Sequence, residues 1–316
     1  MIELLVEHSL GFAQLQDGGR FGVRHLGITQ GGALDWIAMQ QANWLLGNTA
    51  DAAVIEIPLG GLQLRAQTSG WLALTGADLN AKLDDQPLAP GQAFQLRHGQ
   101  TLQFNSPKRG VRAYLATPGG FAAEPVMGAV ATVMREQLGG LHGNGRGLHN
   151  GDRLQGKASN AEPRTLPEGA LWYPGNEVVL DLIPGAQIAA FAGASLFAAF
   201  NQSWTLDQRA DRMGMRLTGP ALRYQGQAMI SEGIPLGAVQ IPPDGQPIIL
   251  MNDRQTIGGY PRLGAVTPLS LARLAQCAPG QKVRLRVVSQ ESARREMLNV
   301  ISALQAQGAL PGPAHP

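Results

Sequence analysis

Apolar positions in this chain recur mostly at short range. Runs of about four to eight residues alternate with turn residues, which is the spacing of strands. The chain opens on such a run, Ile2–Val6, and reaches a turn at Asp17-Gly18-Gly19. Further strand-length runs follow at Val54–Ile57, Gly61–Leu64, Trp71–Leu74, Ala93–Leu96, Thr101–Phe104 and Arg112–Ala116, then at Glu177–Ile183 and Pro247–Met251. Two segments depart from this pattern. From Leu34 to Leu46, Ala38, Ala42, Leu45 and Leu46 recur at helical spacing, and Gly47-Asn48 supplies the stop. From Glu291 to Gln307, Ala293, Met297, Val300, Ile301 and Leu304 share one helical face. Residues 119–156 carry Gly139-Gly140, Gly143, Gly145, Gly147 and Gly151, which suits an ordered loop region better than regular strands. The pattern predicts a mainly β protein with a few short helices.

The second half restates the first. Ile57-Pro-Leu-Gly-Gly-Leu-Gln-Leu64 matches Ile234-Pro-Leu-Gly-Ala-Val-Gln-Ile241 at an offset of 177 residues, and the same offset carries Trp71–Leu74 onto Ile248–Met251. His98-Gly-Gln-Thr-Leu-Gln-Phe104 resembles Pro279-Gly-Gln-Lys-Val-Arg-Leu285. Three pieces in the same order argue for an internal duplication of a β-rich unit. The polar, proline-containing stretch 157–176, with Ala158-Ser-Asn-Ala-Glu-Pro163, is the expected boundary. It divides the chain into an N-terminal domain over 1–165, which includes the Gly-rich loops, and a C-terminal domain over 166–300. A helix end and a frayed tail complete it over 301–316.

Composition narrows the function classes. The chain has 316 residues, enough for two cores. Hydrophobic residues make up 44%, charged residues 15%, and the net charge is +2, with Lys and Arg scattered. A nucleic-acid-binding surface is therefore not expected. Gly 41 and Pro 21 favour strands and turns over long helices. The single cysteine, Cys277, rules out an internal disulfide and fits a reducing compartment, so a cytoplasmic protein is expected. Glu3 and Glu7 interrupt the opening apolar run, which argues against a signal peptide, and no run of about 18 apolar residues suits a membrane span. His8, His25, His98, His142, His149 and His315 show no metal-ligand spacing, so no metal site is expected. Neither a GxSxG elbow nor a GxxxxGK[ST] loop occurs. Gly143-Asn-Gly-Arg-Gly147 lacks a preceding strand and a following helix, and reads as a flexible turn.

Candidate chemistry concentrates between Ser231 and Arg262. Gln240, Asp244, Gln246, Asn252, Asp253, Arg254, Gln255, Thr256 and Tyr260 gather around the apolar run Pro247–Met251. A strand that ends in Asn252-Asp-Arg-Gln-Thr256 and then Gly258-Gly259 offers polar side chains beside backbone that other groups can approach, a candidate binding rim. Along a continuing strand Asp253 and Gln255 share one side and Arg254 takes the other. The competing reading is a solvated strand end with surface ion pairs. Gln16, Asp17 and Arg20 read either as a hairpin turn, with Arg20 solvated or paired with Asp17, or as a donor–acceptor cluster for a carboxylate or amide. Asp35 follows Gly31-Gly32 and suits a helix N-cap; the alternative is an anion at that helix start. Asn43 faces a neighbouring element, and Glu56, inside Val54–Ile57, needs an Arg or Lys partner if buried. Asp211-Arg212 reads as a turn or strand edge with paired charges.

Several of these pieces, in order, resemble a known family. They are Gln16-Asp-Gly-Gly-Arg-Phe-Gly22, Gly31-Gly-Ala-Leu-Asp35, Ala42-Asn43, Leu46-Gly-Asn48, Ala52-Ala53, Glu56, Leu74-Thr-Gly-Ala77, Gly110-Val-Arg-Ala-Tyr-Leu115, Gly139-Gly140, Gly151-Asp-Arg-Leu154, Asp211-Arg-Met-Gly214, Arg216-Leu217 and the block Ser231–Tyr260. Together they are similar to the family of the C subunit of the bacterial ATP-dependent 5-oxoprolinase, also called the biotin-dependent carboxyltransferase or allophanate-hydrolase-subunit-2 family. The likeness covers roughly residues 1–290.

The resemblance implies two cyclophilin-like β-barrel domains. It also implies hydrolysis of 5-oxo-L-proline to L-glutamate together with two partners, a B subunit of the allophanate-hydrolase-subunit-1 type and a separate A subunit. ATP, with Mg, enters at the level of that complex, and the active site forms between chains. The alternatives are a carboxyltransferase acting on urea or another amide, and a regulator that binds a B subunit of the kinase-inhibitor type. The carboxyltransferase needs biotin on a separate protein, since no Ala-Met-Lys or Val-Met-Lys occurs here. Under this reading Asp253, Arg254 and Gln255 are the expected catalytic residues. Gln16, Asp17, Arg20, Gln240, Asn252, Thr256, Gly258, Gly259 and Tyr260 are expected to bind substrate, a small amide or lactam. Asp35, Asn43, Glu56, Asp211 and Arg212 are expected to be structural or interfacial. The chain departs from the family at Gly128-Ala-Val-Ala-Thr132, where the family often has Gly-Ser-Arg-Ser-Thr, and at Ala210, where it often has Ser.

Overall fold

The computed structural model describes residues 1–157 and 159–310. Ala158, inside the expected boundary, and residues 311–316 of the expected tail lie outside the described residues. The chain forms two compact units. The first comprises Met1–Phe21, Gly31–Tyr173 and the chain from Ile301 onward; the second comprises Gly22–Gln30 and Pro174–Val300.

The first unit holds strands β1 (Glu3–Ser9), β2 (Gln14–Gln16), β3 (Val54–Pro58), β4 (Leu62–Ala66), β5 (Gly70–Asp78), β6 (Lys82–Leu83), β7 (Gln86–Pro87), β8 (Gln92–Leu96), β9 (Thr101–Phe104), β10 (Arg109–Ala116) and β11 (Arg153–Gln155), with helix α1 (Trp36–Trp44). They form a six-stranded sheet, β11-β1-β4-β9-β6-β7, and a five-stranded sheet, β2-β3-β10-β5-β8. Side chains alternate across a strand, so each sheet feeds two environments. Ile55, Ile57, Leu72, Leu74, Ala113 and Leu115 pack against Leu4, Val6, Leu62, Leu64, Leu102 and Phe104 in one core. Their strand neighbours Val54, Ala73, Tyr114 and Ala116 turn the other way, onto Ala38, Ala42, Leu45 and Leu46 of the helical segment. Each fully buried Leu or Ile of this kind stabilises by about 1.5–3 kcal/mol. The expected frayed tail is corrected at its start. Ala309 and Leu310 are buried, Ala309 within the helix-side cluster, and the Trp44 indole N–H donates to Gly308 O at 2.7 Å.

The second unit holds β12 (Glu177–Pro184), β13 (Trp204–Leu206), β14 (Gly214–Thr218), β15 (Glu232–Gly233), β16 (Ala238–Gln240), β17 (Ile248–Leu250), β18 (Ile257–Gly258), β19 (Arg262–Val266) and β20 (Lys282–Val287). Helices α2 (Gly193–Asn201) and α3 (Pro268–Leu274) also belong to it, and α4 (Gln290–Ala306) begins in it. Seven strands close into a barrel, β12-β19-β16-β17-β14-β13-β20, sealed by parallel pairing of β12 with β20. Closure removes the exposed edges that an open sheet would leave. Val178, Leu180, Leu182, Met215, Leu217, Val283 and Leu285 are all buried, and Trp204 is fully buried with its indole N–H donating to Ala199 O at 3.1 Å. Thr267 caps α3 and Pro268 opens it, the residue types that suit a helix start. β15 and β18 pair separately, as a two-stranded ribbon.

The architecture is mainly β, as the apolar pattern predicts. The repeated pieces share local conformation: Gly60 and Gly237 have φ of 83° and 79°, and Gly99 and Gly280 have 84° and 85°. A side chain at Gly60 would run into Asn105 O, and one at Gly237 into Val266 O, so both turns need glycine. Strand partners are each unit's own. β4 pairs with β1 and β9, whereas its sequence counterpart β16 pairs with β17 and β19.

Candidate functional site

In the first unit the expected polar residues are engaged with their own chain. Gln16 is fully buried; its amide N–H donates to Thr132 O at 2.9 Å and its Oε1 accepts from Gly32 N at 3.1 Å. Asp17 accepts from Gly19 N at 2.8 Å and from Val130 N at 2.7 Å, and burial pushes its carboxyl up despite those bonds. Arg20 is not solvated. It is 1% exposed and donates to Val126 O at 2.9 Å and Ala129 O at 3.3 Å. These three side chains clamp the stretch Val126–Thr132, the same stretch that departs from the family pattern.

Asp35 caps α1, accepting from Ala38 N at 3.0 Å. Asn43 donates to Ala52 O at 2.9 Å and accepts from Asn48 Nδ2 at 3.0 Å, holding the turn after the helix. Glu56 is fully buried and accepts from Leu34 N and the Tyr114 hydroxyl, each at 2.9 Å, with Arg112 Nε 3.9 Å away. Burial, then the charge of Glu56, hold the Tyr114 phenol well above its usual range, so it stays a donor. The turn at Gly143–Gly147 is anchored rather than loose. Asp152 receives both Arg146 Nη atoms, at 3.0 and 2.6 Å, with His149 N at 2.8 Å and His142 Nε2 at 3.1 Å beside them.

In the second unit the expected strand end is a turn. β17 stops at Leu250; Asp253 N donates to Arg212 O at 2.9 Å and Arg254 N to Met251 O at 3.2 Å. The expected alternation of Asp253 and Gln255 against Arg254 is therefore not realised, because the turn takes Asp253 and Arg254 inward together. They are 6% and 3% exposed. Asp253 is bound edge to edge by Arg212, while Asp211 closes the turn before β14 by accepting from Met213 N and Gly214 N. The surface-ion-pair reading fails on the same burial.

Arg254 has a different setting. Its Nε donates to Ile234 O at 3.2 Å and its Nη1 to Met251 O at 3.3 Å. Burial, and then the charge of Arg24, lower its pKa to about 10. Arg24 joins it from the Gly22–Gln30 segment, with Nη2 donating to Ile234 O at 2.9 Å, Gln255 O at 3.4 Å and Thr256 O at 3.3 Å. Sequence reasoning missed Arg24, since nothing local marks it as a partner of residues more than 200 positions away. Asn252 is buried and Gln240 is 2% exposed. From Gln255 the chain rises to the surface through Thr256, Gly258 and Gly259 to Tyr260, which is 46% exposed. Tyr260 borders a cleft of about 460 Å³ with Tyr224, Ile241, Pro242, Pro243 and Pro261.

The start of α1 is filled by the carboxylate of Asp35 and that of α3 by the hydroxyl of Thr267. Among the described residues no three His, Cys, Asp or Glu side chains gather where they could hold a metal ion. No described helix is long and apolar enough to cross a membrane.

A mainly β chain with a closed barrel and a polar turn beside it now meets its relatives. The family described as "Carboxyltransferase domain, subdomain A and B" matches residues 26–287, and the chain belongs to it. Within that family it is similar to the 5-oxoprolinase C subunit of Escherichia coli (strain K12), 41% identical over 286 residues, 89% of this chain and 90% of that protein. The corresponding 5-oxoprolinase C subunit of Haemophilus influenzae is 39% identical over 291 residues, 92% of this chain and 93% of that one. The crystal structure of K. lactis urea amidolyase shares the fold, with a TM-score of 0.90 and 24% identity over 99% of this chain; the match spans 20% of that much longer chain.

Proposed function

We propose that this chain is the C subunit of a multi-subunit, ATP-dependent 5-oxoprolinase that opens the lactam of 5-oxo-L-proline to L-glutamate. One observation carries the reading: identity of 41% runs over nine-tenths of a protein named for that role, whereas the urea amidolyase likeness is to a fifth of a larger chain. The A and B subunits complete the enzyme and bring the nucleotide, and the chain is inactive alone in the cytoplasm. The turn Asn252–Tyr260 is the part of the active site that this chain contributes. Opening a lactam requires donors where negative charge develops on the carbonyl oxygen. Gln255, Thr256 and Tyr260, toward the surface, offer such donors, and Arg254 supplies a fixed guanidinium that holds the substrate's anionic group. Asp253, held by Arg212, positions the turn.

The test mixes the purified chain with its A and B subunits and follows glutamate release from 5-oxoproline with ATP. Turnover that needs all three chains is expected; its absence removes the proposal. Biotin-dependent carboxylation of urea or another amide would assign the chain to carboxyl transfer instead, and tight association without chemistry would assign it to regulation.

A further inference from the structure

We propose that Arg24, Arg254 and Gln240 form a receptor for the carboxylate of a small planar acid, beside the turn Gln255–Gly258 of the second unit; that the acid is 5-oxoproline rests on the function proposed above. The two guanidiniums lie side by side, because Arg24 Nη2 and Arg254 Nε share a single acceptor, Ile234 O, at 2.9 and 3.2 Å. Arg254 is nine-tenths buried or more, and among the described residues its hydrogen bonds go to backbone carbonyls. Carbonyls fix a guanidinium in place without cancelling its charge. Arg254, a buried cation held by carbonyls, therefore gains from an anion placed against it.

Gln240 supplies the second, independent observation. It is 2% exposed, and its Nε2 has no acceptor among the described residues. That atom faces Gly258: a Cβ there would lie 2.9 Å from Gln240 Nε2, 3.5 Å from Gln255 Nε2 and 2.6 Å from Ile234 Cδ1. Ile234 links the two halves, with its carbonyl under the guanidiniums and its side chain walling the amides. Guanidinium and amide N–H groups are flat, directional donors that match the in-plane lone pairs of a carboxylate. Buried donors left without acceptors also discriminate strongly against an analogue that lacks the acceptor.

The full-length chain is titrated by calorimetry with 5-oxoproline, with 2-pyrrolidinone (the same lactam without its carboxylate) and with glutarate (a carboxylate without a lactam). Both acids are expected to bind, and pyrrolidinone at least about tenfold more weakly. Gln240→Leu, which keeps the packing, and Arg24→Gln should each weaken acid binding about tenfold. Arg24→Lys should retain most of it. Equal binding of the two lactams, binding of neither acid, or unchanged affinity in Gln240→Leu overturns the receptor. In the three-subunit complex, glutamate release with a KM insensitive to Arg24→Gln would refute the receptor and leave the function standing. Glutarate binding lost in Arg24→Gln, with no glutamate release by the wild-type complex, would do the reverse.

Discussion

Arg212 and Asp253 meet edge to edge, Nε to Oδ2 and Nη2 to Oδ1 both at 3.0 Å, and the backbone repeats the contact through Asp253 N and Arg212 O at 2.9 Å. The pair ties the turn before β14 to the turn after β17, with side chains only 13% and 7% exposed. Removing one partner strands a buried charge, at a cost of about 3–5 kcal/mol, whereas removing both costs less. Urea unfolding of Arg212→Met, Asp253→Leu and the double variant should therefore show strong coupling. Additive losses would mean the pair is solvated in solution.

Arg254 separates function from stability. Its folded pKa, lowered to about 10 by burial and the charge of Arg24, lies below the ordinary guanidinium value, so the folded chain binds that proton less tightly than the unfolded chain does. The charge thus opposes folding at every pH below about 10, and the opposition fades only as pH rises beyond that. Arg254→Met should leave the unfolding midpoint within about 1 kcal/mol of the original or raise it. Glutamate release by the complex should fall at least about a hundredfold. A variant that keeps its activity would remove Arg254 from the site.

Glu56 and Tyr114 test the support beneath α1. The Tyr114 hydroxyl donates to Glu56 and accepts from Asp35 N at 2.8 Å, all in a buried setting. Tyr114→Phe leaves that N–H and one carboxylate bond unmet, which should cost about 1–3 kcal/mol in chemical unfolding. A loss confined to a few tenths would mean that water replaces the hydroxyl.

Asp152 gives the acid limb of stability. Burial alone would raise its carboxyl, but the bonds from Arg146, His149 N and His142 outweigh it and hold the pKa below 3.8. The unfolded chain binds this proton more tightly, so the stabilisation is complete above the unfolded value of 3.8 and is lost as pH falls through the folded one. Asp152→Asn should be less stable at neutral pH and should show a shallower loss of stability below about pH 4. Unfolding curves of both proteins across pH 2–7 decide it; parallel curves would exclude Asp152 as the source.

Much of the fold is legible because burial is one-sided. Val54–Ile57, Trp71–Leu74 and Arg112–Ala116 alternate between two apolar environments, and periodicity reports that directly. Asp35 at the helix start was readable from capping chemistry. The site was less so. Asn252–Arg254 looked like a continuing strand because turn formation there depends on Arg212 O, some 40 residues earlier. Arg20 reads as solvated, paired with Asp17 or substrate-binding because its acceptors are carbonyls, which carry no sequence signature. Arg24 gives no sign at all, whereas Gln240 is among the expected substrate-binding residues, though nothing in the sequence shows that its amide lacks an acceptor. Long-range backbone acceptors are what a one-dimensional reading omits.

The first unit is finished by the last part of the described chain. Ala309 and Leu310 are buried, and Gly308 receives the Trp44 indole, although nearly the whole second unit is synthesised in between. A nascent chain emerging from the ribosome therefore carries an incompletely covered helix for most of its translation. Truncation before Gly308 would be felt near the beginning, as an exposed Trp44 and a patch open to chaperones or proteases.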